Sequence, residues 1–560
     1  MIDERLSRLI LEAVRAASDE LAVEKVPDSV ELERPPQREF GDFSTNVAFH
    51  LTKEARRSPR QVAEAIVRHL STADFVTSAE VAGAGFINFR VTNDWLYDVL
   101  REIVEKAGAY GRGEPTGERV QVEYVSANPS GPLHVGTARN AVLGDALANL
   151  LEAAGDSVER EYYFNDANRQ MDLFGESVEA RYLELFGQQA EIPEGGYQGE
   201  YVKDIAADIA EEVGDSLFDS PDRRRRLQEM AVERVFAWIR GTLDRLGAGI
   251  DTWMNESILR ETGAIDEAVA RLKASGHAYE AEGAVFFRST EFGDEKDRVL
   301  IRSNGEPTYF AADCAYVVHK FSRGFDHLVY VWGADHHGTV KRLLGAAQAL
   351  GYDPARVEIV LYQLVSLHHG GEPMKMSRRA GDFVTLDELL DEVGPDAARY
   401  TLLTRSSDTA IDFDIEQVKR QTLDNPVYYV QYAHARIASI LRLARERGIS
   451  LPPVDQAPLE RLTHETELEL LRKLAAWPGE VRSAAELRGP YRLTKYAEDL
   501  AAQFHRFYTD CRVVTDDEPL THARLWLCAA AKQTVGNVLG IIGVSAPEQM
   551  DRIEADEEAS

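Results

Sequence analysis

The chain has 560 residues, is 44% hydrophobic and 28% charged, and carries a net charge of −31 from 94 acidic and 63 basic residues. At roughly 150 residues per domain, this length predicts about three or four domains with sizeable cores. No stretch approaches the ~20 apolar residues needed to span a bilayer, the start Met1-Ile2-Asp3-Glu4-Arg5 lacks a secretory profile, and Cys314, Cys511 and Cys528 form neither a disulfide framework nor a CxxC pair.

The expected setting is therefore cytoplasmic, with no membrane partner. The acidity counts globally against nucleic acid, yet a local basic face on an acidic body is compatible with it.

Residues 1–110 read as a separate α+β module. Leu6, Leu9, Ile10, Ala13, Val14 and Ala17 recur at helical spacing. A Pro-rich joint follows at 33–36, and Gly41-Asp42-Phe43-Ser44-Thr45-Asn46 leads into a helix. Ser58-Pro59 starts another, with Ser as cap and Pro in the first turn. A strand is expected at 85–90 and a linker at 111–117.

Residues 111–424 form the second region. A strand at 120–125, a helix at 134–154 with Val142, Leu143, Leu147, Leu150 and Leu151 keeping one side apolar, and a strand at 159–165 make the start of a parallel nucleotide-binding sheet. From about 175 to 285 the character changes to long charged helices, read as an insertion. Its one basic run, 223–226, is either a solvated helix face or RNA-facing. Strand-like runs return at 284–288, 327–332 and 357–361, and 425–560 is almost wholly helical by pattern. The expected fold class is multidomain α/β and all-α: a Rossmann-like parallel-sheet catalytic domain with a helical insertion, an N-terminal α+β module and a C-terminal helical bundle.

The most informative stretch runs Glu123-Tyr124-Val125-Ser126-Ala127-Asn128-Pro129-Ser130-Gly131-Pro132-Leu133-His134-Val135-Gly136-Thr137-Ala138-Arg139-Asn140. A phosphate chain needs backbone N–H groups, close approach and positive charge. Gly131 and Gly136 remove side chains where a ligand could lie against the backbone. His134 begins the helix and can donate to phosphate as its charge shifts in the transition state. Neither a P-loop nor a dinucleotide fingerprint is present. A second polar loop, Pro373-Met374-Lys375-Met376-Ser377-Arg378-Arg379, follows the flexible Gly370-Gly371. It could bring cations to a leaving pyrophosphate. Asp335-His336-His337 has poor spacing for a closed metal site, because adjacent side chains diverge; a core or substrate-edge role is expected there.

The first string resembles the ATP-binding signature of class I aminoacyl-tRNA synthetases, here His134-Val135-Gly136-Thr137. The residues before it, Ser126 to Leu133, resemble the arginyl-tRNA synthetase family specifically. The second loop resembles the mobile KMSKS loop of the same class. The resemblance implies ATP-dependent activation of L-arginine and its transfer to tRNA(Arg), with Mg2+ arriving on ATP and no protein-built metal site. It implies catalytic roles for His134, Thr137, Lys375, Ser377 and Arg378, and ATP contacts from Ser130, Gly131, His134, Gly136, Thr137 and Met376. Arginine would meet Glu123, Ser126, Asn128, Tyr309, Asp313, Asp335 and His337. A guanidinium calls for facing carboxylates, and Tyr309 and Asp313 share one face if that stretch is helical. The tRNA would meet Phe43, Asn46, Tyr432, Arg436, Phe507 and Arg512, and adenylate formation would need bound tRNA. A monomer without DNA affinity is expected.

Two positions depart from the family pattern. Thr137 stands where a second histidine is usual, and Arg378 where the functional lysine is usual; Arg keeps the charge but changes shape and hydration. Three rivals stay open. A class I synthetase for another amino acid would lack the Glu123, Tyr309 and Asp313 set. A small-molecule adenylyltransferase would not need the helical C-terminal region. A weakly catalytic tRNA-binding paralogue would fit Thr137 but would not need the loop at 375–378.

Overall fold

The computed structural model describes residues 2–35, 37–166, 168–374 and 384–550. They divide into two compact units, one within 2–107 with 449–475 and 506–530, the other within 108–448 with 476–505 and 531–550. No helix among the described residues is long and apolar enough to cross a membrane.

In the first unit the helix Ile2–Ala16 buries Leu6, Leu9, Ile10, Ala13 and Val14, as the spacing predicts. Ser58 caps the helix Pro59–Arg68 in a reciprocal capping box with Gln61, and Pro59 opens the helix. A three-stranded antiparallel sheet places Phe86–Val91 between Phe43–Thr45 and Val76–Ala82. The segment 449–475 belongs to this unit through specific polar contacts: Tyr97 donates to the Leu462 carbonyl at 3.0 Å, and Arg38 pairs with Glu465 at 3.0 Å. Arg524, from the later segment, pairs with the buried Glu467 at 2.7 Å.

The second unit is built on a five-stranded parallel sheet, in the order Val357–Tyr362, His327–Gly333, Arg119–Glu123, Ser157–Phe164, Thr252–Asn255. Arg119–Glu123 comes first in the chain. Its successor lies on one side and His327–Gly333 on the other, so the strand order reverses there. Ligands of such sheets sit at the carboxyl ends beside that reversal, which is where Glu123 and the signature string fall. The helical stretch expected over 175–285 is interrupted after Leu246 and resumes at Glu256–Glu261 and Ala264–Ala274. Thr252–Asn255 is instead the edge strand, because Thr-Trp-Met alternates across a pleat rather than around a helix.

The helix Val135–Ala154 is buried on nearly all sides rather than along one stripe. Its alanines and glycines let neighbours approach closely, and its polar residues Arg139, Asn140 and Asp145 are buried with them. Each polar residue is partnered, as burial demands. Asp145 meets Arg399 at 2.5 Å, with both side chains almost inaccessible. Arg399 also donates to the carbonyls of Leu246, Gly247 and Ile542 at 3.0–3.1 Å. Gly543 lies against this guanidinium with a φ of +69°, and a Cβ there would fall 2.2 Å from Nη2. Only glycine meets both demands.

Arg399→Met removes the close cation of Asp145 and leaves it only the looser contact to Arg160 at 3.9 Å, a loss of about 3 kcal/mol. Urea unfolding should show a clearly lowered midpoint; a midpoint equal to that of the parent chain would show that the pair is dispensable.

Candidate active site

The strand Arg119–Glu123 runs out at Glu123, and the chain reverses sharply. Val125 and Ser126 both have positive φ, 66° and 42°. For a β-branched residue this conformation is costly, on the order of 1–3 kcal/mol. The surroundings hold it in place. Val125 N–H donates to Asn140 Oδ1, and the Asn140 amide donates to the Val331 carbonyl at 2.8 Å. Ser126 Oγ donates to Glu123 at 3.1 Å and accepts from Tyr163 N–H at 3.1 Å. Tyr162 donates to the Ala127 carbonyl at 2.7 Å. The reversal presents Ser126, Ala127 and Asn128 at the crest of the sheet, and Asn128 donates to Gln170 at 2.7 Å.

His134 is the N-cap of the helix Val135–Ala154. A Cβ on Gly136 would fall 2.6 Å from His134 Cε1, and one on Gly131 would fall 2.9 Å from the Tyr201 ring. The two glycines thus make room for aromatic rings in the protein itself. Ser130 offers its carbonyl to Tyr201 at 2.8 Å. Thr137 is buried in the first turn, its N–H bonded to the His134 carbonyl at 2.8 Å. Lys375, Met376, Ser377 and Arg378 lie outside the described residues. The chain just beyond them is tied to the first motif: Leu386 N–H donates to the Leu133 carbonyl at 2.7 Å, and Val135 N–H to the Val384 carbonyl at 3.2 Å.

The helix Tyr309–Ser322 starts at Thr308 and carries Tyr309 and Asp313 one turn apart, as expected. Tyr309 is 56% exposed. Burial, and then the negative charges of Glu256 and Glu123, raise the Asp313 carboxyl to about 7. The other two carboxylates already have cations. Glu123 pairs at 2.5 Å with Lys320, which is wholly buried and lies 3.8 Å from the centroid of the Tyr330 ring. Glu256 pairs with Arg260 at 2.8 Å and accepts from Tyr163 at 2.8 Å. Burial, and then the same carboxylates, push the Tyr163 hydroxyl far up. Among the described residues Asp313 has no hydrogen-bond or ion-pair partner. Asp335 and His337 are exposed, just past the carboxyl end of His327–Gly333.

Other expected contacts divide by exposure. Phe43 is 2% exposed and packs on Trp95, and Phe507 is fully buried. Neither side chain reaches an RNA surface, because aromatics at these spacings face the core. Asn46 is half-buried and makes no side-chain cap bond, and Arg512 is exposed. Arg436 lies 5.6 Å from the centroid of the Tyr432 ring, one turn away on the same helix. In the basic run, Arg223 and Arg224 pair with Glu179, and Arg225 with Glu229, so these three form an ion-paired helix face. Sequence reading missed Glu256, Tyr163, Gln170 and Lys320. Lys320 alone carried a signal: it falls two turns after Asp313, on that residue's face of the helix.

Residues 99–437 match the family described as tRNA synthetases class I (R), catalytic domain. Residues 4–91 match the arginyl tRNA synthetase N terminal domain, and 430–550 the DALR anticodon binding domain. The chain belongs to the arginyl-tRNA synthetase family. It is 50% identical over 542 residues to the arginine–tRNA ligase of Moorella thermoacetica, covering 96% of this chain and 97% of that one. It is 47% identical over 558 residues to the arginine–tRNA ligase of Heliobacterium modesticaldum, covering 98% and 99%. The Thermus thermophilus arginyl-tRNA synthetase structure superposes with a TM-score of 0.75 at 25% identity, over 98% of this chain and all of that one. The enzyme is thus an ATP-dependent ligase that activates arginine and transfers it to tRNA(Arg).

Gly136→Ala forces the His134 ring aside. A displacement of about 1 Å at such a site costs on the order of 100-fold in rate. Arginine-dependent ATP–pyrophosphate exchange should fall by that order; an unchanged rate would remove His134 from the reaction.

Proposed function

We propose that Asp313 is the primary partner of the arginine guanidinium, and one observation carries this reading. Of the three carboxylates that converge near Tyr309, Lys320 pairs with Glu123 and Arg260 with Glu256, which leaves Asp313 with no cation in contact and only the longer-range charges of Arg342 and Lys320. A planar cation restores the balance and lowers the Asp313 carboxyl from its raised value. Ser126, Asn128 and Tyr309 flank the substrate's α-carbon end, and Glu123 shapes the pocket through Lys320 and Ser126.

His134 and the Gly136 N–H at the start of Val135–Ala154 then face the ATP phosphates, with Ser130 and Gly131 along the backbone. Thr137 adds a hydroxyl in place of a cation, so the positive charge that meets the anionic departing pyrophosphate comes from His134, Lys375 and Arg378, with Met376 and Ser377 contributing to the same ATP contact. The arginine carboxylate attacks the α-phosphate, and the terminal ribose hydroxyl of the tRNA then attacks the adenylate carbonyl. The protein contributes position and charge. Among the described residues no group of three or more His, Cys, Asp or Glu side chains is placed to hold a metal. In this reading Mg2+ arrives on ATP and neutralises phosphate charge. Asp335 and His337 border the substrates. The tRNA meets Asn46, Tyr432, Arg436 and Arg512. The working form is a cytoplasmic monomer whose adenylation step requires tRNA.

Across the twenty amino acids, only arginine should support charging of tRNA(Arg); absence of arginine charging would overturn the assignment. Binding a cation favours ionised Asp313, so KM for arginine should rise about tenfold per pH unit as pH falls below about 7. Asp313→Asn should raise that KM and flatten its pH dependence; a mutant profile that keeps the parent slope would place the titrating group elsewhere. Thr137→Val keeps shape and removes the hydroxyl. It should slow exchange about tenfold, the worth of one hydrogen bond to a charged group, with KM for arginine unchanged.

A further inference from the structure

The start of the helix Leu386–Val393 grips the signature loop. Val135 N–H donates to the Val384 carbonyl and Leu386 N–H to the Leu133 carbonyl, so Thr385 faces His134 across a single antiparallel bridge. The two opposed residues of such a bridge lie between its hydrogen bonds, with their side chains close together. The segment 384–386 therefore sets the backbone position of His134. The position of that segment is set in turn by the next side chain. The Asp387 carboxylate accepts from Trp238 Nε1 at 2.8 Å, Thr242 Oγ1 at 2.6 Å and Arg245 Nη1 at 2.6 Å. We propose that Asp387 is a positioning residue for His134, holding the histidine in register with the ATP phosphates through the bridge at Thr385. This inference rests on the assignment of His134 to those phosphates.

The three donors stand at 238, 242 and 245, on one face of the helix Arg223–Leu246. Arg245 also pairs with Asp391, one turn beyond Asp387 on the shorter helix. The Asp387 side chain is only 18% exposed, so water competes little for its bonds. It lies in the first turn of its helix, where a carboxylate meets the positive end of the backbone dipole. Thr385 and Glu388 close the same turn with a reciprocal capping box, which fixes the segment 384–386 relative to Asp387.

Apolar packing alone does not supply this precision. Leu386, Leu389, Leu390 and Val393 are buried, and their burial keeps the short helix docked. Hydrophobic contact is non-directional; it resists separation but tolerates small slides and rotations. Charge-assisted hydrogen bonds fix distance and angle. The longer helix is itself tied to the signature helix, because Arg399 takes the carbonyls of Leu246 and Gly247 and pairs with Asp145. A closed circuit of directional bonds therefore runs from His134 through 384–386, Asp387, the helix Arg223–Leu246 and Arg399 to Asp145, about three turns along the signature helix. Opening the circuit at Asp387 leaves Asp145 held and releases the His134 end.

The test measures single-turnover adenylate formation from arginine and ATP by the full chain with tRNA(Arg) bound. Asp387→Ala should slow this step about 100-fold, the cost of a misplacement of about 1 Å, and Asp387→Asn about tenfold. KM for arginine should stay at the parent value in both. Trp238→Phe, which keeps the ring and removes one donor, should slow the step by less than Asp387→Asn. In a His134→Ala background, Asp387→Ala should cost less than about twofold more, because the two changes remove one and the same contribution. An equal loss in both backgrounds would overturn the proposal. So would a parent rate in Asp387→Ala, or a rise in KM for arginine that matches the fall in rate, which marks general loosening of the unit. If circular dichroism shows Asp387→Ala unfolded, the same cycle run with Asp387→Asn decides. A parent rate in His134→Ala overturns the phosphate assignment instead.

Discussion

Asp145 and Arg399 form a charged contact in the deep interior of the catalytic unit, and the signature helix is held through it. Burying two full charges costs several kcal/mol per ion unless hydrogen bonds satisfy what remains. Here three backbone carbonyls, from Leu246, Gly247 and Ile542, take the other guanidinium protons. The end of the long helix Arg223–Leu246, the segment after the C-terminal helix and the helix Val135–Ala154 are thereby fixed to one side chain. The N-terminus of Val135–Ala154 carries His134 and Gly136, so placement of the phosphate-facing groups is inherited from this pair.

Near the N-terminus of the same helix the constraint is backbone strain. Two successive left-handed residues, neither of them glycine, turn the chain at the crest of the sheet. Asn140, one helical turn from Gly136, satisfies the N–H that the turn exposes and bonds to the neighbouring strand. The turn, the helix and the central strand are consequently one rigid piece. Its charges follow the same logic: buried carboxylates are cancelled one at a time by Lys320 and Arg260, and the one left over defines what the pocket attracts. A site arranged this way selects its substrate by charge deficit as much as by shape.

Much of this was legible in the chain. The apolar period of Ile2–Ala16, the Ser58-Pro59 start and the strands at the centre of the sheet are local signals, and the structure has them within a residue or two of the expected ends. The run 252–255 was hidden, because four residues between helices carry too little pattern to outweigh their neighbours. The buried character of Val135–Ala154 was hidden for a different reason. Its far side is built of small residues, which read as neutral in a helical pattern but let other elements close in. Phe43 and Phe507 show the reverse error: aromatic residues beside polar ones suggested an RNA face, and both belong to the core.

By itself the sequence determined the chemistry. The order of the strand, the reversal, the histidine at the helix start and the two glycines is a local grammar, and local grammar survives without a fold. The charge state of the pocket was decided only by tertiary structure. Whether Glu123, Glu256 or Asp313 stands uncompensated depends on which cation lies within a few ångströms, and Lys320 lies 197 residues from Glu123. Distance through space, and the low dielectric of the interior that makes it count, are set by packing and cannot be read along the chain.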